Sequence, residues 1–147
     1  MKRKICRGGA VKAEGMAAIF NTLLNQPGTR MPSRLKPLFE AIDARDAQAF
    51  ARFLSPGVEF VFSNAPALHG REQVEAAIAG FFSSLAGLRH ELTEHWEIGD
   101  NLIMCGSVTY TRHDGSQLSV PFANTFKIRQ NLICEYRIFG DFSALAS

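Results

Sequence analysis

The chain has three cysteines, one tryptophan and two tyrosines, and no apolar run of membrane-spanning length. Cys6, Cys105 and Cys134 show no Cys-x-x-Cys spacing, so a disulfide framework and a zinc ribbon are both excluded. Free thiols in a reducing, cytoplasmic setting are expected. A bilayer span needs about 20 apolar residues. The longest charge-free stretch of core character, residues 76–88, is interrupted by two serines and two glycines. Gly-x-Gly-x-x-Gly, Gly-Lys-Ser/Thr and Gly-x-Ser-x-Gly are all missing, which removes the usual dinucleotide, phosphate-loop and serine-hydrolase signatures.

What remains is globular. The 147 residues, 46% hydrophobic and 20% charged, suffice for one domain with a real core. The formal charge of +2 conceals an asymmetry. Residues 1–36 hold eight of the 16 Lys and Arg against one acid, Glu14, whereas the rest of the chain has eight against 13 acids. A basic leader on an acidic domain does not describe a nucleic-acid-binding fold. Residues 1–32 read as a flexible extension with a short helix near 17–25, and residues 33–147 as the domain.

Leu35, Leu38, Phe39 and Ile42 recur at helical spacing, with Pro37 in the first turn. Asp46 is placed to cap a second short helix carrying Ala49, Phe50, Phe53 and Leu54. Ser55-Pro56-Gly57 ends it, and residues 58–62 form a strand. Val74, Ala77, Ile78, Phe81, Phe82 and Leu85 then share one face of an amphipathic helix. From Leu88 onward the period becomes two. Strands are expected over 88–98, 102–113, 117–129 and 132–142, joined by short turns that include Asp114-Gly115. Helices first and an antiparallel meander afterwards make an α+β fold.

Strand alternation puts Leu118, Val120, Phe122, Asn124, Phe126 and Ile128 on a core face, with Asn124 its lone polar member. In the last strand, Ile133, Glu135, Arg137, Phe139 and Asp141 share one side and Cys134, Tyr136 and Ile138 the other; both sides could be buried. His90 shares parity with Leu88, Leu92 and Trp96. His90 and His95 differ by an odd number of residues, so on a regular strand they face apart and cannot bind one metal. His113 adjoins a turn and is expected in solvent. No metal site is implied.

The order of helix, short helix, strand, Gly-Arg-Glu, helix and four strands resembles the SnoaL-like branch of the nuclear-transport-factor-2-like superfamily. The resemblance spans roughly residues 33–147 and rests on the segments 38–47, His69-Gly70-Arg71-Glu72, 96–100 and the closing Ile133, Arg137 and Asp141. It implies a cone-shaped, cystatin-like barrel with three helices held in a strongly curved antiparallel sheet. It also implies an apolar pocket for a small, cyclic organic molecule, with isomerase, cyclase or hydrolase-type acid–base chemistry and no cofactor. The alternative is a non-catalytic dimeric module that binds a ligand or a partner chain.

In this family the final Asp points into the cavity, so the resemblance makes Asp141 the catalytic candidate; the competing reading is an ion pair with Arg137. Asn124, Arg137, His90, His69, Phe126 and Phe122 are the candidate ligand contacts. The Cys134, Tyr136 and Ile138 row would then lie outside and form a homodimer interface. The ketosteroid isomerase constellation is absent, since Phe60, Val61 and Phe62 occupy the general-base region and the first helix has no tyrosine. The Asp–Arg–Asp relay of limonene epoxide hydrolase would have only Arg112 to draw on.

Overall fold

The computed structural model describes residues 31–146; the leader's expected helix and most of its basic residues lie outside them. Helices α1 (Lys36–Asp43) and α2 (Ala47–Ala51) come first. Pro37 sits in the first turn of α1, where its missing N–H costs no hydrogen bond. Asp46 Oδ1 accepts from Ala49 N–H at 2.9 Å and starts α2, a cap that contributes about 1 kcal/mol. Strand β1 (Leu54–Phe62) includes Pro56 and Gly57 in an irregular stretch. The short β2 (Leu68–His69) and helix α3 (Arg71–Ser83) follow, then β3 (Gly87–Ile98), β4 (Asn101–Thr111), β5 (Gln117–Arg129) and β6 (Leu132–Phe139).

The strands form one six-stranded sheet in the order β2-β1-β6-β5-β4-β3. The last four are the expected meander, and β1 lies parallel to β6. Its turns follow local chemistry: Gly99 and Gly115 take positive φ, as do both Gln130 and Asn131. The curved sheet carries the helices on its inner face, where Leu38, Phe39, Ile42, Val74 and Phe82 meet Leu102, Met104, Val108, Phe122 and Phe126. No helix among the described residues is long and apolar enough to cross a membrane.

Two bulges overturn simple alternation. β3 and β4 pair one to one as far as Leu92 and Gly106, then resume at Glu94 and Cys105, leaving Thr93 as an extra residue. A Cβ on Gly106 would lie 2.2 Å from the Glu91 carbonyl oxygen, so only glycine admits this close approach. Beyond Thr93 the parity reverses: Trp96 faces outward with Ile103, and His95 faces inward with Met104. His90 and His95 therefore share the inner face after all, about four residues apart on the partner strand, or roughly 13 Å. Among the described residues no group of three or more His, Cys, Asp and Glu could hold a metal ion.

The second bulge reverses β6. Ile133 pairs with Ile128 but Glu135 pairs with Lys127, which makes Cys134 the extra residue. Its thiol donates to the Lys127 carbonyl at 3.3 Å. Ile133 is inward; after the bulge Tyr136 and Ile138 are inward too, while Glu135, Arg137 and Phe139 are outward. The expected homodimer interface through Cys134, Tyr136 and Ile138 is thus corrected: Tyr136 is 2% exposed and belongs to the core. The outer face instead exposes Trp96, Ile98 and Phe139.

Candidate functional site

The inner face of the sheet and the three helices enclose an apolar cavity of about 210 Å³. Phe50, Phe60, Phe62, Phe81 and Phe82 supply much of its wall. Among the described residues, the lining side chains that carry polar atoms are His90 from β3, Tyr110 from β4 and Tyr136 from β6. A cavity this small lies below the roughly 300–1,000 Å³ of drug-sized ligand sites.

His90 is held from behind. Its ring Nδ1 lies 2.6 Å from Asp43 Oδ1, and its backbone N–H donates to Asp43 Oδ2 at 3.1 Å. Asp43 ends α1 and, among the described residues, β3 is the sheet's edge strand, so this carboxylate ties a helix end to the sheet's edge. The rings of Phe39 and Phe122 stand edge-on to the imidazole at 5.0 and 5.4 Å. A carboxylate facing Nδ1 stabilises the tautomer with its proton there, which leaves a lone pair on Nε2. Among the described residues Nε2 has no hydrogen-bond partner. The His90 side chain is 10% exposed and Asp43 30%, so the pair stands at the edge of an apolar space.

The two tyrosines differ. Tyr110 meets Phe81 and Phe142 edge-on at 6.0 and 6.1 Å, and its hydroxyl has no hydrogen-bond partner among the described residues. Tyr136 stacks on Phe126 at 4.4 Å and accepts from Asn124 Nδ2 at 3.4 Å. Burial pushes both phenols well above their usual pKa; for Tyr136, charge on Tyr110 and Asp43 adds to the effect. Both are therefore neutral hydrogen-bond donors across the physiological range.

The sequence candidates separate sharply. His90 lines the cavity, and Phe122 and Phe126 pack behind His90 and Tyr136. Asn124 is 1% exposed, is not on the cavity wall, and donates from Nδ2 to the Tyr136 hydroxyl. Arg137 points outward, where it donates to Glu59 at 2.7 Å. His69 is exposed before α3, and its backbone N–H donates to Gln73. Asp141 is exposed beyond the end of β6, away from the cavity wall. It accepts from the Ser143 hydroxyl at 2.7 Å and the Ser143 N–H at 3.1 Å, and these bonds hold its carboxyl below the usual range.

Both parts of the Asp141 expectation are corrected, since neither a cavity acid nor an Arg137 pair is formed. The chain turns at Gly140, where a Cβ would lie 2.8 Å from the Phe142 ring; Phe142, not Asp141, folds back against Phe62. Arg112 bonds the Ser116 hydroxyl and the Ala144 carbonyl, outside any relay. Asp43 is not among the candidates that the sequence supplies. Yet it follows Phe39 by four residues and so extends the buried stripe of α1.

No curated protein matches this chain. Among solved structures it is similar to a candidate SnoaL-like polyketide cyclase from a Jannaschia species, with TM-score 0.69 and 21% identity over 82% of this chain and 95% of that one. A protein of ketosteroid isomerase-like fold from Catenulispora acidiphila, in complex with trimethylamine, gives TM-score 0.71 and 16% identity, covering 78% and 89% of the two chains. An LEH-like epoxide hydrolase from M. tuberculosis gives 0.66 and 9%, covering 75% and 81%. At these identities the likeness is one of fold. Residues 35–136 match the SnoaL-like domain model, and the chain belongs to that family.

Proposed function

We propose that this protein is an acid–base enzyme acting on a small, neutral, largely apolar organic molecule, with His90 as the proton-transferring group. The observation that carries this reading is the Asp43–His90 contact of 2.6 Å at the wall of an otherwise apolar cavity. Nε2 takes a proton from a C–H or O–H of the bound molecule, and the Asp43 carboxylate stabilises the imidazolium that results. The same nitrogen then returns the proton to another atom of the ligand, which is the requirement of an isomerisation or a cyclisation. Among the described residues no Lys or Arg lines the cavity, so a carboxylate or phosphate ester finds no such counter-charge there.

The competing reading is the binding module, in which Asp43 serves only to satisfy the edge strand at His90. Hydrogen–deuterium exchange of a bicyclic ketone, 2-tetralone, in heavy water separates the two. The enzyme reading expects wild-type protein to accelerate α-hydrogen exchange and His90→Gln to lose about 10²-fold or more of that acceleration. Equal exchange rates for the two proteins would leave a binder only.

A further inference from the structure

Beyond the bulge at Thr93, the outer face of β3 carries Glu94, Trp96 and Ile98, opposite Cys105, Ile103 and Asn101 of β4. Trp96 is 47% exposed and Ile98 64%, and the strand that bears them is the sheet's edge among the described residues. Two large apolar side chains together on an open edge invite association, and proteins ordinarily cover or charge such an edge. Charge is present here, and it is mostly of one sign. β3 holds Glu91, Glu94 and Glu97, with Asp100 just beyond, against Arg89 as its single Lys or Arg. Glu94 has no ion pair among the described residues.

Glu97 is met by Arg34 at 3.3 Å. The described chain begins only three residues before Arg34, so residues 1–30 join the domain close to the C-terminal end of β3. Their composition complements what is exposed there. They contain Lys2, Arg3, Lys4, Arg7, Lys12 and Arg30 against Glu14 alone. Met16, Ile19, Phe20, Leu23 and Leu24 recur at i, i+3, i+4, i+7 and i+8, the spacing that gives a helix one apolar side. The lengths agree as well. Residues 16–24 would span about 13 Å as a helix, and Glu94 to Ile98 spans about 13 Å of strand. The seven steps from Leu24 to Met31 reach up to roughly 23 Å, enough to pass round an edge one strand wide.

We propose that the apolar side of residues 16–24 docks on Trp96 and Ile98 of its own chain, with the basic residues before it lying along Glu94 and Glu91. Leu24 is tethered nearest the Ile98 end, so Met16 falls toward Glu94 and Lys12 beyond it toward Glu91. Two arguments favour the chain's own leader over a second copy as the occupant. The tether keeps the leader at a high effective concentration, so a contact as small as two side chains and a few charges suffices. A second copy of the domain presents the same acidic strip, whereas the leader brings six Lys and Arg against one acid. The docked leader covers the open edge of the sheet. The inference stands apart from the acid–base reading of the cavity and survives its failure.

Trp96 is the chain's single tryptophan, so its fluorescence reads this surface directly. The test is acrylamide quenching of the full chain as wild type and as two double variants, Phe20→Asp with Leu23→Asp and Glu91→Lys with Glu94→Lys. Circular dichroism checks that each is folded. A side chain 47% exposed without the leader is largely covered with it, so each variant is expected to raise the quenching constant about twofold and shift the emission to the red. Wild-type shielding is expected to persist unchanged on dilution, because the contact lies within one chain. Sodium chloride gives a measurement that needs no variant: screening the acids of β3 is expected to increase quenching of the wild type. An unchanged quenching constant in either folded variant, or in the wild type under salt, would overturn the proposal. Shielding that falls away on dilution would also overturn it and would seat a second copy on this face.

Discussion

Asp43 holds His90 at two points, with one carboxylate oxygen on the ring Nδ1 and the other on the backbone N–H. The second contact fixes where the strand sits and the first fixes which ring nitrogen is free. A residue at the end of α1 thus sets both the position and the protonation pattern of a residue 47 positions later. The consequences reach the cavity wall, because Nε2 is the ring nitrogen with no hydrogen-bond partner among the described residues.

Asp43→Asn keeps the shape of this contact but removes its charge. The imidazolium formed during proton transfer then loses its stabilising carboxylate. Ketone exchange is expected to slow about 10²-fold, with affinity for 2-tetralone changed by no more than a few-fold. Exchange at the wild-type rate in a folded Asp43→Asn protein would show that the carboxylate is only a structural tie.

The buried phenols make stability depend on alkaline pH. Folded Tyr110 and Tyr136 have raised pKa values. Their stabilising contribution is complete below the unfolded value of about 10. It declines as the pH rises above that, since the unfolded chain releases these protons first. Each tyrosine removes up to about 1.4 kcal/mol per pH unit in that window. Urea midpoints measured on either side of pH ~10 should show the decline, and Tyr136→Phe should make it shallower. An identical slope in Tyr136→Phe would contradict the burial of that hydroxyl.

Gly106→Ala addresses the bulge that sets the inner face of β3. The added methyl would lie 2.2 Å from the Glu91 carbonyl oxygen, and the backbone on both strands must shift. A loss of about 1–3 kcal/mol in chemical denaturation is expected, together with weaker 2-tetralone binding as His90 moves. A protein of wild-type stability would mean that β3 pairs without the bulge at Thr93.

Much of the architecture is readable from local pattern. The stripe Leu35, Leu38, Phe39 and Ile42, the face from Val74 to Phe82, and the turns at Gly99 and Gly115 each have a local physical cause. The facing of side chains is not readable in the same way, because one extra residue reverses everything beyond it. Cys134 exchanged the roles of Arg137 and Tyr136, and with them the expected cavity and the expected interface. Thr93 did the same to His95 and Trp96. A glycine within a strand signals a close backbone approach, so Gly106 was a usable hint. Nothing comparable marks Cys134.

The Asp43–His90 pair shows the other limit. Each residue has a local signal, Asp43 at helical spacing from Phe39 and His90 in register with Leu88, but their meeting is a tertiary event. Asp141, by contrast, is a candidate by resemblance alone. Its place was decided by the turn at Gly140 and the bonds from Ser143, both local features of this chain.

The role of His90 is tested most directly by nitrogen NMR of the four histidine rings, with and without 2-tetralone. In the neutral His90 ring the proton is expected on Nδ1, against Asp43, and the Nε2 signal is expected to move when the ketone is added. A neutral His90 ring protonated on Nε2, or one whose signals ignore a ketone shown to bind, would contradict that role.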